Sequence, residues 1–250
     1  MTFNYSGGET IYTEAFHSGS FTINQQQVTV KVPRIVELLG VPVNQADRYL
    51  TELISEEIEK CHSICNPKGY YAIFPNPVFS HESEEMHLSG KTFHIKKMVA
   101  AGLKKSSSIA LFAGTCGEEI EQQSRQLIGE GHHLEGLITD LIGSEIAESI
   151  AGVIHKKIGE EATQNGYKVT NRYSPGYCQW NVADQQSLFT LLGEKNCGIR
   201  LTDSSLMLPI KSVSGIVGLG TEVQFRHYSC NQCDAAYCLY RDKKRGIKTH

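Results

Sequence analysis

The stretch from about Leu134 to Ile158 constrains the fold more than any other part of the chain. Leu137, Ile138, Leu141, Ile142, Ile146, Ile150, Val153 and Ile154 recur at intervals of three and four residues. On a helix they form one wide apolar stripe, so this helix must lie at the centre of the molecule. A second signal is the near-continuous apolar run from Ser108 to Ala113, the mark of a buried strand.

Composition sets the frame around these two elements. With 250 residues, 40% of them hydrophobic and 20% charged, a soluble globular chain with a real core is expected, as one large domain or two small ones. A net charge of −3 argues against a broad surface for nucleic acid or anionic membrane. No apolar run approaches the roughly 20 residues of a membrane span. Met1 to Gly8 lacks a basic region followed by an apolar block, so no secretory signal is expected and a cytoplasmic location is. In a reducing compartment the eight cysteines are buried, reactive or metal-bound rather than a disulfide scaffold.

The remaining elements follow from local signals. Thr29–Val32 reads as a short strand, followed by a helix to Leu39 that stops at Gly40. Asn44 is expected to cap a longer helix through Cys61, with Asp47 completing a capping box. Gly69–Phe74 is strand-like and stopped by Pro75 and Pro77. His94–Leu103 reads as a short helix or irregular segment. Gly114 to Glu119 resembles a strand running into a helix, with Thr115 and Glu118 as a capping box; exposed amides there could bind an anion, or the turn could be an ordinary one. Tyr167–Thr170 reads as a strand, Asp184 as the cap of a helix ending at Gly193, and Thr221–Arg226 as a last strand. Long helices and short strands without regular βαβ alternation argue for a single α+β domain, with a mainly antiparallel sheet packed by long helices.

Two residue groups could carry chemistry. Cys230, Cys233 and Cys238 form a C-x2-C-x4-C cluster that points thiolates at one centre, as zinc and iron–sulfur sites require. The cluster offers three ligands, and the fourth could be Cys178, Cys197, His227 or a non-protein group. Cys61 falls on the apolar face of its helix as a small hydrophobe, although a C-x3-C pair with Cys65 could also chelate. On the long helix, Glu145, Glu148, Gly152 and His155 share one row, which is either a solvated face or a place for a cation or a ligand amine.

The stretch Arg172-Tyr173-Ser174-Pro175-Gly176-Tyr177 is followed by Leu201-Thr202-Asp203-Ser204, Met207-Leu208-Pro209 and Ser212-Val213-Ser214-Gly215. This ordered set resembles the activation domain of cobalamin-dependent methionine synthase, whose motifs are Arg-x-x-x-Gly-Tyr, Leu-Thr-Glu/Asp-Ser, a methionine-rich strand and Ser-Val-Ser-Gly. Glu145-Ile146-Ala147-Glu148 and Ile154-His155-Lys156-Lys157 are similar to the family's upstream helix. The resemblance runs from about Ile109 to Gly220, within an activation-like domain expected over residues 1–228; residues 229–250 hold the cysteine cluster and a basic tail.

The resemblance implies a protein that binds S-adenosylmethionine and supports reductive methylation of a cob(II)alamin-carrying corrinoid protein, such as a methionine synthase lacking its own activation domain. It implies a flavodoxin or ferredoxin-like electron donor and a cobalamin held by the partner. By the same resemblance Arg172 clamps the methyl donor's carboxylate, Glu148 faces its positive end, and Ser174, Gly176 and Tyr177 surround it. Val217 and Gly218 stand where the family places aromatic contacts. Cys178 follows Tyr177 where the family has proline. A second reading is a metal or iron–sulfur electron-transfer protein docking to a corrinoid partner, with Cys230, Cys233 and Cys238 as ligands.

Overall fold

Every residue from Ser108 to Thr115 is buried, and the chain is built outward from this strand. The structure, a computed structural model, describes residues 17–80, 82 and 84–226. Its strands are β1 (His17–Thr22), β2 (Lys68–Pro75), β3 (Val78–Ser80), β4 (Glu85–Leu88), β5 (Lys91–Phe93), β6 (Ser108–Thr115), β7 (Lys168–Tyr173), β8 (Arg200–Leu201), β9 (Met207–Leu208) and β10 (Ser212–Gly220). Its helices are α1 (Val32–Leu38), α2 (Arg48–Ile64), α3 (Lys96–Leu103), α4 (Glu119–Gly129), α5 (His133–Gln164) and α6 (Gln185–Leu192). The main sheet has the order β1-β2-β6-β10-β7, and every pairing in it is antiparallel. The architecture is α+β, as the sequence predicts.

Both faces of this sheet are covered, which explains why its strands read as continuous apolar runs rather than alternating ones. Tyr71, Ile73, Ala110, Phe112, Val217 and Leu219 face one core, shared with α1, α2, α4 and α5. Tyr70, Ala72, Phe74, Ile109, Leu111 and Ile216 face a second core, closed by α3, α6, Trp180 and the small sheet β3-β4-β5. The predicted stripe on α5, except for the exposed Leu137, is the spine of the first core: Ile138, Ile142, Ile146, Ile150 and Ile154 are fully buried. Where α5 crosses the sheet, the cross-strand partners Gly69 and Gly114 leave a notch for it. A Cβ on Gly114 would lie 2.6 Å from Ile150 Cγ2 and 2.8 Å from Ile154 Cδ1, and one on Gly69 would lie 3.0 Å from Ile154 Cγ1.

Several local expectations are corrected. The predicted strand at Thr29–Val32 does not form: the Thr29 amide donates to Ser149 Oγ at 2.9 Å, and Val32 already opens α1 with proline in its first turn. Asn44 lies in a short 3-10 turn, and it is Asp47 that caps α2, accepting from the Leu50 amide at 2.8 Å. Thr115 stays in β6; its Oγ1 accepts from the Gly117 amide and the Ser212 hydroxyl, so α4 starts without a side-chain cap. Residues 221–226 form no strand. The small sheet β3-β4-β5 has no counterpart in the sequence reading, because strands of three and four residues carry too little periodicity to register. No helix among the described residues is long and apolar enough to cross a membrane.

The glycine notch makes a prediction. Gly114→Ala should lose about 1–3 kcal/mol by overpacking against Ile150 and Ile154. Gly129→Ala, in open space at the end of α4, should be neutral or gain up to about 1 kcal/mol. Urea denaturation of the two variants measures both.

Candidate functional site

Arg172 is the penultimate residue of β7, which forms one edge of the main sheet. The sequence reading ends the strand at Thr170 and so leaves Arg172 beyond it; the strand instead extends through Tyr173 and holds Arg172 in register with Val217 of β10. Strand alternation sends Tyr173 to the second core and Arg172 to the side where α5 runs. Gly152 leaves room there: a Cβ on it would sit 4.0 Å from Arg172 Nη1. Arg172 Nη2 donates to Glu148 Oε2 at 3.3 Å. Both side chains are partly exposed, so the pair adds no more than about 1 kcal/mol to folding.

The row Glu145, Glu148, Gly152 and His155 thus serves three purposes. Glu145 pairs with Arg34 at 3.2 Å, Glu148 and Gly152 receive Arg172, and His155 Nε2 lies 2.9 Å from the Thr170 carbonyl. A carbonyl only accepts, so Nε2 carries the proton of this bond. The His155 ring also lies 5.8 Å from that of Phe225. Burial pushes the His155 pKa below its ordinary value, and the Arg172 charge acts in the same direction. An open groove of about 690 Å³ continues along this edge between α5 and β7, lined by Lys156, Gly159, Glu160, Thr163, Val169 and Phe225 among others.

Beyond Tyr173 the chain leaves the sheet through a tight loop. Ser174 Oγ donates to the Ser214 carbonyl at 2.6 Å. Its close approach requires Gly215, whose Cβ would lie 2.5 Å from the Tyr173 carbonyl oxygen and 2.8 Å from Ser174 Oγ. Gly176 has φ +91°, the left-handed region that glycine enters without strain. Tyr177 at the tip is 66% exposed. Val217 and Gly218 are buried in β10: Val217 is fully covered, and the space beside Gly218 is taken by Ser106 Oγ and Thr170. The fold brings Glu148, Arg172, Ser174, Gly176 and Tyr177 to one end of the β7 edge, while Val217 and Gly218 form the sheet behind Arg172.

The cysteines separate by burial. Cys61, Cys65 and Cys116 are buried thiols, and burial pushes Cys61 and Cys116 up to about 12 and Cys65 in the same direction. Thiols held protonated this way behave as small hydrophobes. Cys178 and Cys197 are half-buried. Cys230, Cys233 and Cys238 lie outside the described residues, and so does His227. Among the described residues, no group of three or more His, Cys, Asp or Glu side chains is arranged to hold a metal ion.

Two features of the site have no counterpart in the sequence reading. Asn171 holds Arg226 by its main chain: Nδ2 donates to the Arg226 carbonyl at 2.6 Å and Oδ1 accepts from its amide at 2.7 Å. Asp184, expected to cap α6, makes no side-chain cap bond. Its Oδ2 accepts from Trp180 Nε1 at 2.7 Å and from the His94 amide at 2.5 Å. A long-range contact of a single asparagine or aspartate leaves no periodic trace in a sequence.

His155 makes stability at the site depend on pH. Its folded-state pKa lies below the ordinary 6.5, so below that pH the unfolded chain binds a proton that the folded chain refuses. Stability should therefore fall as pH drops through 6.5. Melting temperatures of wild type and His155→Gln between pH 7.5 and about 5 should diverge, with the wild type losing more.

The family model described as vitamin B12 dependent methionine synthase, activation domain, matches residues 81–245. No curated protein matches the chain. Among solved structures, 13 chains match. One is the crystal structure of the MetH reactivation domain bound to AdoHcy, with a TM-score of 0.60 and 16% sequence identity, covering 97% of this chain and 91% of that one. At this identity the structural likeness speaks to the fold, and the family match carries the assignment. The chain belongs to the family of vitamin B12 dependent methionine synthase activation domains.

Proposed function

We propose that the chain binds S-adenosylmethionine at the β7 edge and supports reductive methylation of a cob(II)alamin-carrying corrinoid protein, such as a methionine synthase lacking its own activation domain. The observation that carries this reading is the partly exposed Arg172–Glu148 pair beside the Ser174–Tyr177 loop, in a member of the activation-domain family. Residues 1–228 form the activation-like domain in this reading.

The residues fit such a ligand. S-adenosylmethionine carries a carboxylate and an ammonium, and Arg172 and Glu148 offer the two complementary charges. Their own pair is weak enough for a zwitterion to replace it. Arg172 is anchored by strand register and lies over Gly152, so its planar fork is oriented before a carboxylate arrives. The exposed ring of Tyr177 offers a further surface to the ligand, and an open groove lies further along the same edge, beside Lys168 and Val169. Bound S-adenosylmethionine supplies the methyl group and a reduced cobalt on the partner accepts it, so no general base is required of this chain. The work of Arg172, Glu148 and the loop is to bind the donor and orient it toward the docked partner. The electron comes from a flavodoxin or ferredoxin-like donor, and a cytoplasmic setting follows from that chemistry.

Calorimetry with S-adenosylmethionine tests the site. Arg172→Ala should weaken binding at least roughly tenfold, the cost of one charge-assisted clamp. Equal affinity in wild type and variant would remove Arg172 from the site. Methylcobalamin absorbance, followed in a mixture with a cob(II)alamin protein and a reductant, tests the reaction.

A second reading gives residues 229–250 their own role, with Cys230, Cys233 and Cys238 holding an iron–sulfur cluster that passes electrons to a corrinoid partner, or a zinc ion that is purely structural. The favouring observation is the Asn171 clamp: it anchors Arg226 one residue from Arg172 on β7, and the cysteine trio begins four residues further along the chain. The two readings are compatible, because a cluster there could feed the electron the methylation needs. Protein purified without oxygen should be brown and contain iron and sulfide that Cys233→Ser loses; a colourless, metal-free protein would remove this reading.

A further inference from the structure

The loop that carries Gly176 and Tyr177 contains a backbone conformation that needs outside support. Cys178 and Gln179 follow one another with φ +53° and +62°, the left-handed region, and neither is glycine. Such residues persist only where their surroundings over-determine them. Trp180 supplies that restraint. Its amide donates to the Tyr177 carbonyl at 2.9 Å, and its carbonyl accepts from the Gly176 amide at 2.8 Å, so Trp180 closes the loop from both sides.

Trp180 is fixed in turn by its side chain. The indole is 1% exposed and meets Phe93 edge-on, with ring centroids 6.3 Å apart. Its Nε1–H donates to Asp184 Oδ2 at 2.7 Å. Asp184 is 8% exposed, and the same oxygen accepts from the His94 main-chain amide at 2.5 Å. His94 follows the last residue of β5, so the loop is tied to the small sheet β3-β4-β5 through one buried carboxylate. The His94 ring stands between two acids, with Nδ1 3.4 Å from Asp184 Oδ1 and Nε2 3.5 Å from Glu85 Oε1. None of these bonds includes Arg172 or Glu148.

We propose that Trp180 and Asp184 are positioning residues: the buried indole–carboxylate bond fixes the Gly176–Tyr177 loop beside Arg172 and so sets the affinity for S-adenosylmethionine. This rests on the function proposed above. The bond acts at a distance from the ligand, so it belongs to neither the charge clamp nor the groove. Asparagine at 184 keeps one oxygen for both donors and preserves volume, whereas alanine abolishes the acceptor and leaves the indole N–H buried without a partner.

The test uses the full chain, calorimetry with S-adenosylmethionine, and the fluorescence of Trp180, which is the only tryptophan in the sequence. Asp184→Ala should weaken binding at least roughly fivefold and shift the emission of the ligand-free protein, while Asp184→Asn restores affinity to within about twofold. Arg172→Ala should weaken binding and leave the ligand-free emission unchanged. If Asp184→Ala fails to fold, Trp180→Phe carries the test: it keeps an aromatic ring against Phe93, removes the N–H, and should weaken binding to a similar extent. Wild-type affinity in the variant that folds would overturn the positioning role and leave the proposed function standing. No binding by the wild type itself would overturn the proposed function, and this inference with it.

Discussion

Everything in this molecule is arranged around the seating of α5 in the notch that Gly69 and Gly114 leave in the sheet. Two isoleucines one helical turn apart, Ile150 and Ile154, enter a gap that exists only because both cross-strand partners lack side chains. The contact fixes how closely the helix lies on the sheet and at which point along the strands it crosses. A helix of 32 residues extends about 48 Å, so once one point is fixed its ends reach far beyond the contact. Toward its N-terminus it carries the packing against α4; on the other side of the crossing it runs beside the edge strand β7.

The candidate site follows from that placement. Glu148 lies two residues before Ile150 and Gly152 two residues after it, so both occupy the flank of the helix rather than its buried stripe. That flank meets β7 where Arg172 stands, and the guanidinium settles over the missing side chain of Gly152. The same flank carries His155 to the Thr170 carbonyl one turn further on. The core packing and the charge pair are therefore not separate achievements of the fold. A displacement of α5 that kept its isoleucines buried would still carry Glu148 away from Arg172.

The parts of this arrangement that were legible in the sequence are those with long periodic signals. The stripe on α5 spans eight apolar positions and survives any error in its ends, and the buried run of β6 is unmistakable because both faces of the sheet are covered. The ordered motifs around Arg172 and Ser212-Val213-Ser214-Gly215 led to the family, and the family match bears that out. Positions that depend on contacts distant in sequence were not legible. Nothing local distinguishes Arg172 on a strand from Arg172 on the turn that follows it. Asp184 stands where a helix cap is wanted, and only the approach of Trp180 and His94 shows that its carboxylate is used elsewhere. The small sheet β3-β4-β5 gains its stability from the second core it closes, and its own short strands carry no comparable signal.

The grip of Asn171 on Arg226 has a consequence for how the molecule meets its own copies. A strand at the margin of a sheet exposes peptide groups that invite another strand to dock, and proteins in crowded solutions must blunt such margins. The amide of Asn171 answers both polar groups of the Arg226 peptide backbone, as a neighbouring strand would, and so brings the chain's own backbone to β7 without extending the sheet. Among the described residues, one side chain imitating a peptide bond thus holds the chain's own backbone against that margin, on the side of the molecule where Arg172 stands.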